Sequence, residues 1–159
     1  MAMSMQARTV TRLGLALIAA AGLAIDAYVH FDLASAYASI KSSTLSQGQL
    51  FRAEGTVAAI AAAAVLLRPR RYTAAFAFVV AAAGTAAVLV YAYVNVGAFG
   101  PFPNMYDPLW YPEKTLSVWA EGVGAFAALL LFAVLHRDAQ RAPARSRMRN
   151  GGLPRSVPT

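Results

Sequence analysis

Four long apolar segments, separated by shorter polar stretches, dominate the hydrophobic pattern of this chain. Each is long enough to form a helix of about 20 residues, the length that crosses the hydrocarbon core of a bilayer. Short polar connections favour antiparallel neighbours. The pattern therefore predicts an all-α integral membrane protein, an up-down bundle of four transmembrane helices at about 13–36, 47–67, 72–96 and 112–136.

Local signals mark several of the predicted helix ends. Ser46 and Gln49 have the spacing of a capping box ahead of the second apolar segment. Pro69 cannot continue a helix in register, so residues 68–71 predict a tight turn. Pro112 suits the first position of the fourth helix. Between them, residues 97–111 carry three prolines and five aromatic side chains, which predicts a loop at the membrane interface.

Composition supports lipid as the surrounding solvent. Of 159 residues, 58% are hydrophobic and only 13% are charged, whereas soluble domains carry roughly a quarter. Cysteine is absent, which excludes disulfides, thiolate metal sites and thiol catalysis. The net charge of +7 comes from arginines that flank apolar segments or lie in the tail. This placement predicts contact with anionic lipid at the tail, and no nucleic-acid partner.

The distribution of positive charge predicts orientation. Eleven arginines lie at one end of the four segments, and Lys41, Arg52 and Lys114 lie at the other. The positive-inside rule then places both termini in the cytoplasm of a multi-pass cell-membrane protein. Residues 1–12 form the cytoplasmic N-terminus and residues 137–159 a basic, disordered cytoplasmic tail. Residues 1–24 also look like a secretory signal peptide, but the helical pattern continues past Ala24, so we expect them to be retained.

Ionisable residues occur near the same end of three predicted helices. Asp26 and His30 are four apart and share one helix face. With crossings at 13–32, 48–67 and from 116, Asp26 and Glu54 lie roughly 9 Å, and Glu121 roughly 7 Å, below the outer boundary. Such residues inside a membrane are functional candidates by default. The candidate cluster is Asp26, His30, Arg52, Glu54 and Glu121.

Three interpretations of this cluster stay open. Arg52 could neutralise Glu54 or Asp26, in which case the groups would only fix helix packing. One arginine cannot neutralise three carboxylates, however, so the cluster could also respond to protons or cations. A third interpretation is that the residues are near the surface and hydrated.

Nothing in the sequence indicates a catalytic residue, a cofactor or a metal. No phosphate-binding loop, nucleophile elbow, zincin motif or dinucleotide fingerprint is present. One outer histidine and three acids are a weak metal signal, and His30 and His136 lie at opposite faces, which disfavours haem.

Rows of small residues predict the packing faces of the helices, because small side chains let helices approach closely in lipid. Close-packed faces of this kind also suit a second copy of the chain or another membrane protein as partner. The rows are Gly55, Ala59 and Ala63; Thr73, Ala77, Ala81 and Thr85; and Ser117, Glu121, Gly124 and Ala128.

Three short motifs, Asp26-x-x-x-His30, Gly48-x-Leu50-Phe51 and Gly97-Ala98-Phe99-Gly100, resemble small four-span membrane proteins of high-GC actinobacteria. The resemblance covers residues 10–136 and implies four spans and a cell-membrane location. It implies no activity and no site residue.

Three classes of function follow. An accessory or structural subunit of a cell-envelope assembly is favoured, because no catalytic constellation is present. The first alternative is a proton-coupled transporter or sensor that uses the carboxylate and histidine cluster. The second is a membrane enzyme or redox partner that acts on a lipid or quinone.

Overall fold

The chain folds into four α-helices. The computed structural model describes residues 5–150, and the side chains of residues 6–141. Within that range no strand forms, which confirms the all-α prediction. The helices are α1 (Met5–Leu33), α2 (Gln47–Leu67), α3 (Arg71–Tyr93) and α4 (Pro112–Asn150). All four are long and apolar enough to cross a membrane.

Small side chains fill the interior of the bundle, and large apolar side chains cover its outside. Seventeen residues form the buried core cluster, and thirteen of them are alanines. In contrast, Leu17, Ile60, Val79 and Phe126 are each more than half exposed. A soluble protein would bury such side chains, whereas lipid solvates them and leaves small residues to pack helix against helix. This distribution indicates a membrane protein.

Neighbouring helices run antiparallel. Gly48 and Gly55 of α2 lie against Ala34 and Ala27 of α1 respectively, so the two helices run in opposite directions. A three-residue connection, residues 68–70, turns α2 into α3. Near the other end of α1, Arg8 and Arg12 form ion pairs with Asp138 of α4, at 3.5 Å and 2.5 Å. The four helices therefore form the expected up-down bundle, in which α1 packs on both α2 and α4.

Two of the sequence-predicted signals at helix ends are confirmed. The Ser46 hydroxyl accepts a hydrogen bond from Gln49 N–H at 3.2 Å, and the Gln49 side chain accepts one from Ser46 N–H at 2.8 Å. This capping box starts α2 at Gln47. Pro112 is the first residue of α4.

The outer bounds of the bundle differ from the sequence-based boundaries. α1 begins at Met5 and ends at Leu33, and α3 ends at Tyr93, so residues 94–96 join the following loop. α4 continues through residues 137–150, which the sequence analysis assigned to a disordered tail. Alanine, arginine, glutamine and methionine are good helix formers, and they extend a helix that is already nucleated. Residues 151–159 of that tail lie outside the described part of the chain.

The connection between α3 and α4, residues 94–111, folds back over one end of the bundle. Gly97 and Gly100 adopt positive φ angles of 74° and 55°, which glycine tolerates best. The Ser42 hydroxyl, in the connection between α1 and α2, donates to the carbonyl oxygen of Pro101 at 2.7 Å. The N–H of Asp107 donates to the carbonyl of Tyr91 at 3.0 Å. We call residues 94–111 the cap.

Candidate functional site

A close approach of α1 and α4 brings two acidic residues together. A Cβ atom on Gly22 would lie 2.4 Å from the Ala120 carbonyl oxygen and 3.0 Å from the Gly124 Cα, so only glycine fits at this crossing. Asp26 follows Gly22 by about one helical turn, and Glu121 precedes Gly124 by about one turn. Because the helices are antiparallel, both side chains project on the same side of the crossing.

Asp26 and Glu121 form the centre of a buried polar cluster. The two residues are 1% and 0% exposed, and a carboxyl oxygen of each lies within 4.8 Å of the other. His30 Nδ1 lies 2.8 Å from Asp26 Oδ1 and 3.0 Å from the Asp26 carbonyl oxygen. The Ser117 hydroxyl donates to Asp26 Oδ1 at 2.9 Å and lies 3.3 Å from Glu121 Oε1. We call Asp26, His30, Ser117 and Glu121 the buried cluster.

One oxygen of the buried cluster has no partner among the described residues. Glu121 Oε2 is fully buried and receives no hydrogen bond. The same carboxyl group rests on the backbone of α3, where a Cβ on Gly84 would lie 2.6 Å from Glu121 Oε1. Gly84 thus provides the space that Glu121 occupies. An unsatisfied buried oxygen is costly, which points to a proton or a ligand at this position.

A cavity of about 400 Å³ lies beside the buried cluster. All four helices and the cap line it, and the buried cluster contributes His30 and Ser117 to its wall. On α2 and α3 the lining residues lie toward the ends distant from the 68–70 connection. Small-molecule sites in proteins commonly have volumes of about 300–1,000 Å³.

Glu54 and Arg52, the two candidates on α2, lie on different sides of that helix. Glu54 lines the cavity, where it is half-buried and interacts electrostatically with His30 and Asp26. Arg52 is exposed, and no ion pair with it occurs in the described part of the chain. Residues two apart are separated by about 200° of rotation around the helix axis, so Glu54 and Arg52 cannot both face the cavity. Arg52 thus forms no ion pair with an acid of the cluster in the part of the chain that the structure describes, although such a pair is one of the three interpretations that the sequence left open.

A second polar group, at the end of the cavity, joins the cap to α4. Lys114 of α4 is 8% exposed and forms an ion pair with Asp107 at 3.7 Å. Its ammonium group also donates to the backbone carbonyls of Asp107 and Leu109. The hydroxyls of Tyr37 and Tyr111 lie 2.6 Å apart. Burial raises the pKa of both phenols, and their mutual hydrogen bond also raises the pKa of Tyr111.

The arrangement suits a proton or a cation better than bond-making chemistry. Two carboxyl groups this close and away from bulk water are not both ionised unless a cation lies between them. When no cation is bound, one of them carries a proton. Asp26, His30 and Glu121 each offer a ligand atom, and these atoms lie within 4.8 Å of one another, so the three residues could hold a metal ion. Ser117 bonds to the acids rather than to the imidazole, so it lacks the base that activates a serine nucleophile.

Of the five predicted residues, His30 and Glu54 line the cavity, Asp26 and Glu121 are buried beside it, and Arg52 lies outside. Four further residues lie at the site but were not predicted as site residues: Ser117, Gly84, Gln47 and Lys114. For Ser117 a signal existed, because it lies four residues before Glu121 and shares its face. For Gly84 none existed, since its importance comes only from the Glu121 side chain across the helix interface.

No protein-family model matches this chain, and no curated protein or solved structure is significantly similar to it. Its function is therefore inferred from the site itself.

Proposed function

We propose that this protein is a small membrane transporter or sensor in which binding of a small solute is coupled to a proton. The observation that carries the proposal is the close approach of the carboxyl groups of Asp26 and Glu121, within 4.8 Å of each other and buried beside a solute-sized cavity. An intramembrane acid pair must hold a proton or a cation to be stable. In the vacant protein, one proton is shared by the pair.

Coupling follows from electrostatics in this proposal. A positive charge that enters the cavity near Glu54 and His30 stabilises the ionised form of the neighbouring acid pair, and the shared proton leaves. In the reverse direction, protonation of the pair weakens cation binding. By linkage, the two effects are equal in size at equilibrium. His30 and Ser117, which belong to the buried cluster and line the cavity, supply the contact between the solute site and the acid pair.

The four helices span the cell membrane with both termini in the cytoplasm in this proposal. Arg8, Arg12, Arg68, Arg70 and Arg71 lie at the end of the bundle opposite the cap. Positive charge of this kind stays on the cytoplasmic side. The cap and the cavity then lie in the outer half of the membrane, and the arginines of the C-terminal segment lie near the anionic inner leaflet.

An accessory packing role explains less of the structure. Packing accounts for the Asp26–His30 ion pair, which could fix the register of α1. It gives no reason for a cavity lined by an unpaired glutamate or for the buried oxygen of Glu121. A solute in the cavity gives the unpaired glutamate a role, and a proton on the acid pair gives the Glu121 oxygen one.

Infrared spectroscopy of the purified protein in nanodiscs tests the shared proton. We expect a carboxylic-acid carbonyl band at neutral pH that Glu121→Gln removes, because Asp26 is then ionised and paired with His30. Asp32→Asn, which removes an exposed carboxylate near the end of α1, is the matched control and should leave the band unchanged. Absence of the band in the wild-type protein, or its persistence in Glu121→Gln, would exclude the proposed coupling.

A further inference from the structure

The unsatisfied groups at the cavity end of the bundle are hydrogen-bond acceptors. Among the buried side-chain atoms of the described residues, Gln47 Oε1 and Glu121 Oε2 lack partners at this end. Gln47 is only 5% exposed and lines the cavity. Glu54 also lines the cavity, and no hydrogen bond or ion pair reaches its carboxylate within the described part of the chain. Glu121 does not line the cavity, so a ligand there can satisfy only Gln47 and Glu54, and to do so it must donate hydrogen bonds or carry positive charge.

The charges around the cavity favour a cation. Lys114 is already paired with Asp107, and His30 with Asp26. Glu54 forms no ion pair with a cation among the described residues, so it leaves an uncompensated carboxylate on the cavity wall. Arg52, the nearest cation along α2, points away from the cavity.

Aromatic and aliphatic side chains make up most of the remaining wall. The rings come from α2, α3 and the cap, and the aliphatic part includes Val29 and Val88. Aromatic faces attract ammonium groups, and these interactions strengthen when water is excluded. The aromatic residues are Phe51, Tyr91, Phe102 and Tyr111.

We infer that the cavity binds an organic ammonium ion with an apolar body, and that the Glu54 carboxylate is its counter-ion. The apolar body occupies the volume between the rings, and the ammonium group lies against the Glu54 carboxylate. This inference deepens the proposed function by naming the class of solute. It differs from a metal site, which would use Asp26, His30 and Glu121 and would not require Glu54.

The test uses benzyltrimethylammonium, whose charge does not titrate, and its uncharged isostere neopentylbenzene. Binding to the full-length protein in nanodiscs is measured by calorimetry, with empty nanodiscs as the blank. We expect saturable binding of the cation and much weaker binding of the isostere. Glu54→Gln should weaken cation binding at least about tenfold, which corresponds to about 1.4 kcal/mol. Arg52→Gln also changes one charge on α2 but outside the cavity, and should leave the affinity within about twofold.

Other outcomes would overturn the inference. Equal binding of the isostere and the cation would show a simple hydrophobic pocket. Arg52→Gln removes a positive charge, so a strengthening of cation binding as large as the weakening by Glu54→Gln would show a general charge effect. Saturable binding of Zn²⁺ that depends on Asp26, His30 and Glu121, without ammonium binding, would assign the site to a metal. Ammonium binding that depends on Glu54 in a protein without the carboxylic-acid band would keep this inference and remove the proton coupling.

Discussion

The position of the Glu121 carboxyl group depends on one residue of another helix. Gly84 of α3 touches it so closely that even a methyl group would lie 2.6 Å from Glu121 Oε1. Glu121 is also fixed by the α1–α4 crossing at Gly22 and Gly124. The acid pair therefore has little freedom to move apart, which keeps a proton or cation between its members.

Gly84→Ala tests this dependence. The added methyl group must displace the Glu121 carboxyl group in a closely packed interior, which lowers the free energy of unfolding by about 1–3 kcal/mol. Gly122→Ala is the matched control, since it lies on the neighbouring helix and a Cβ there meets no atom within 4 Å. It should be neutral or slightly stabilising, because alanine favours helix over glycine. Thermal unfolding in detergent measures both, and equal stabilities would contradict the contact.

Residue spacing predicted the contact between Asp26 and His30 but not the direction in which Arg52 points. The separation of four between Asp26 and His30 put both on one face, and the structure joins them by an ion pair of 2.8 Å. Depth along the helix axis placed Arg52 near Glu54, but depth ignores the direction around the axis. The two side chains diverge for that reason.

At the scale of helices, the small-residue rows gave mixed results. On α4, Ser117, Glu121, Gly124 and Ala128 are all buried, as expected. On α2 only Gly55 of the predicted row is buried, whereas Ala58, Ala61 and Ala62 pack inward instead. The helix is so rich in alanine that several faces look equally suitable, and only the partner helices decide between them.

The cap is the element whose location in the cell tests the proposed orientation. A reporter inserted after Asn104, an exposed position in the cap, should be active only in its external version. The same reporter inserted in the 68–70 connection is the matched control and should be active only in its cytoplasmic version. The reverse pattern would place the cap and the cavity at the cytoplasmic face.

For the whole molecule, composition and apolar segments were sufficient to predict four helices in an up-down bundle. The cavity could not be predicted, because it forms only where residues of all four helices and the cap come together. Its uncompensated carboxylate, that of Glu54, likewise comes from pairing in three dimensions. Lys114 was counted only as a positive charge outside the membrane, yet it is buried and neutralised by Asp107.

The charged groups around the acid pair determine how pH affects binding. Beside the acid pair, His30 of α1 and Glu54 of α2 line the cavity. The residues of α3 that line it there include Gly84 and Tyr91. Lys114 and Asp107 form a neutral pair at the cap side of the cavity. Since protons and the cation compete, binding of an ammonium ion should strengthen as pH rises and weaken as pH falls.

Counting the protons released on binding tests whether a cation in the cavity displaces the proton shared by Asp26 and Glu121. Benzyltrimethylammonium is titrated into the full-length protein in weakly buffered nanodiscs, with proton release followed by a pH indicator and bound cation measured in parallel. We expect release of up to about one proton for each cation bound by the wild-type protein, and none by Glu121→Gln. Saturable binding to the wild-type protein without proton release would contradict this expectation.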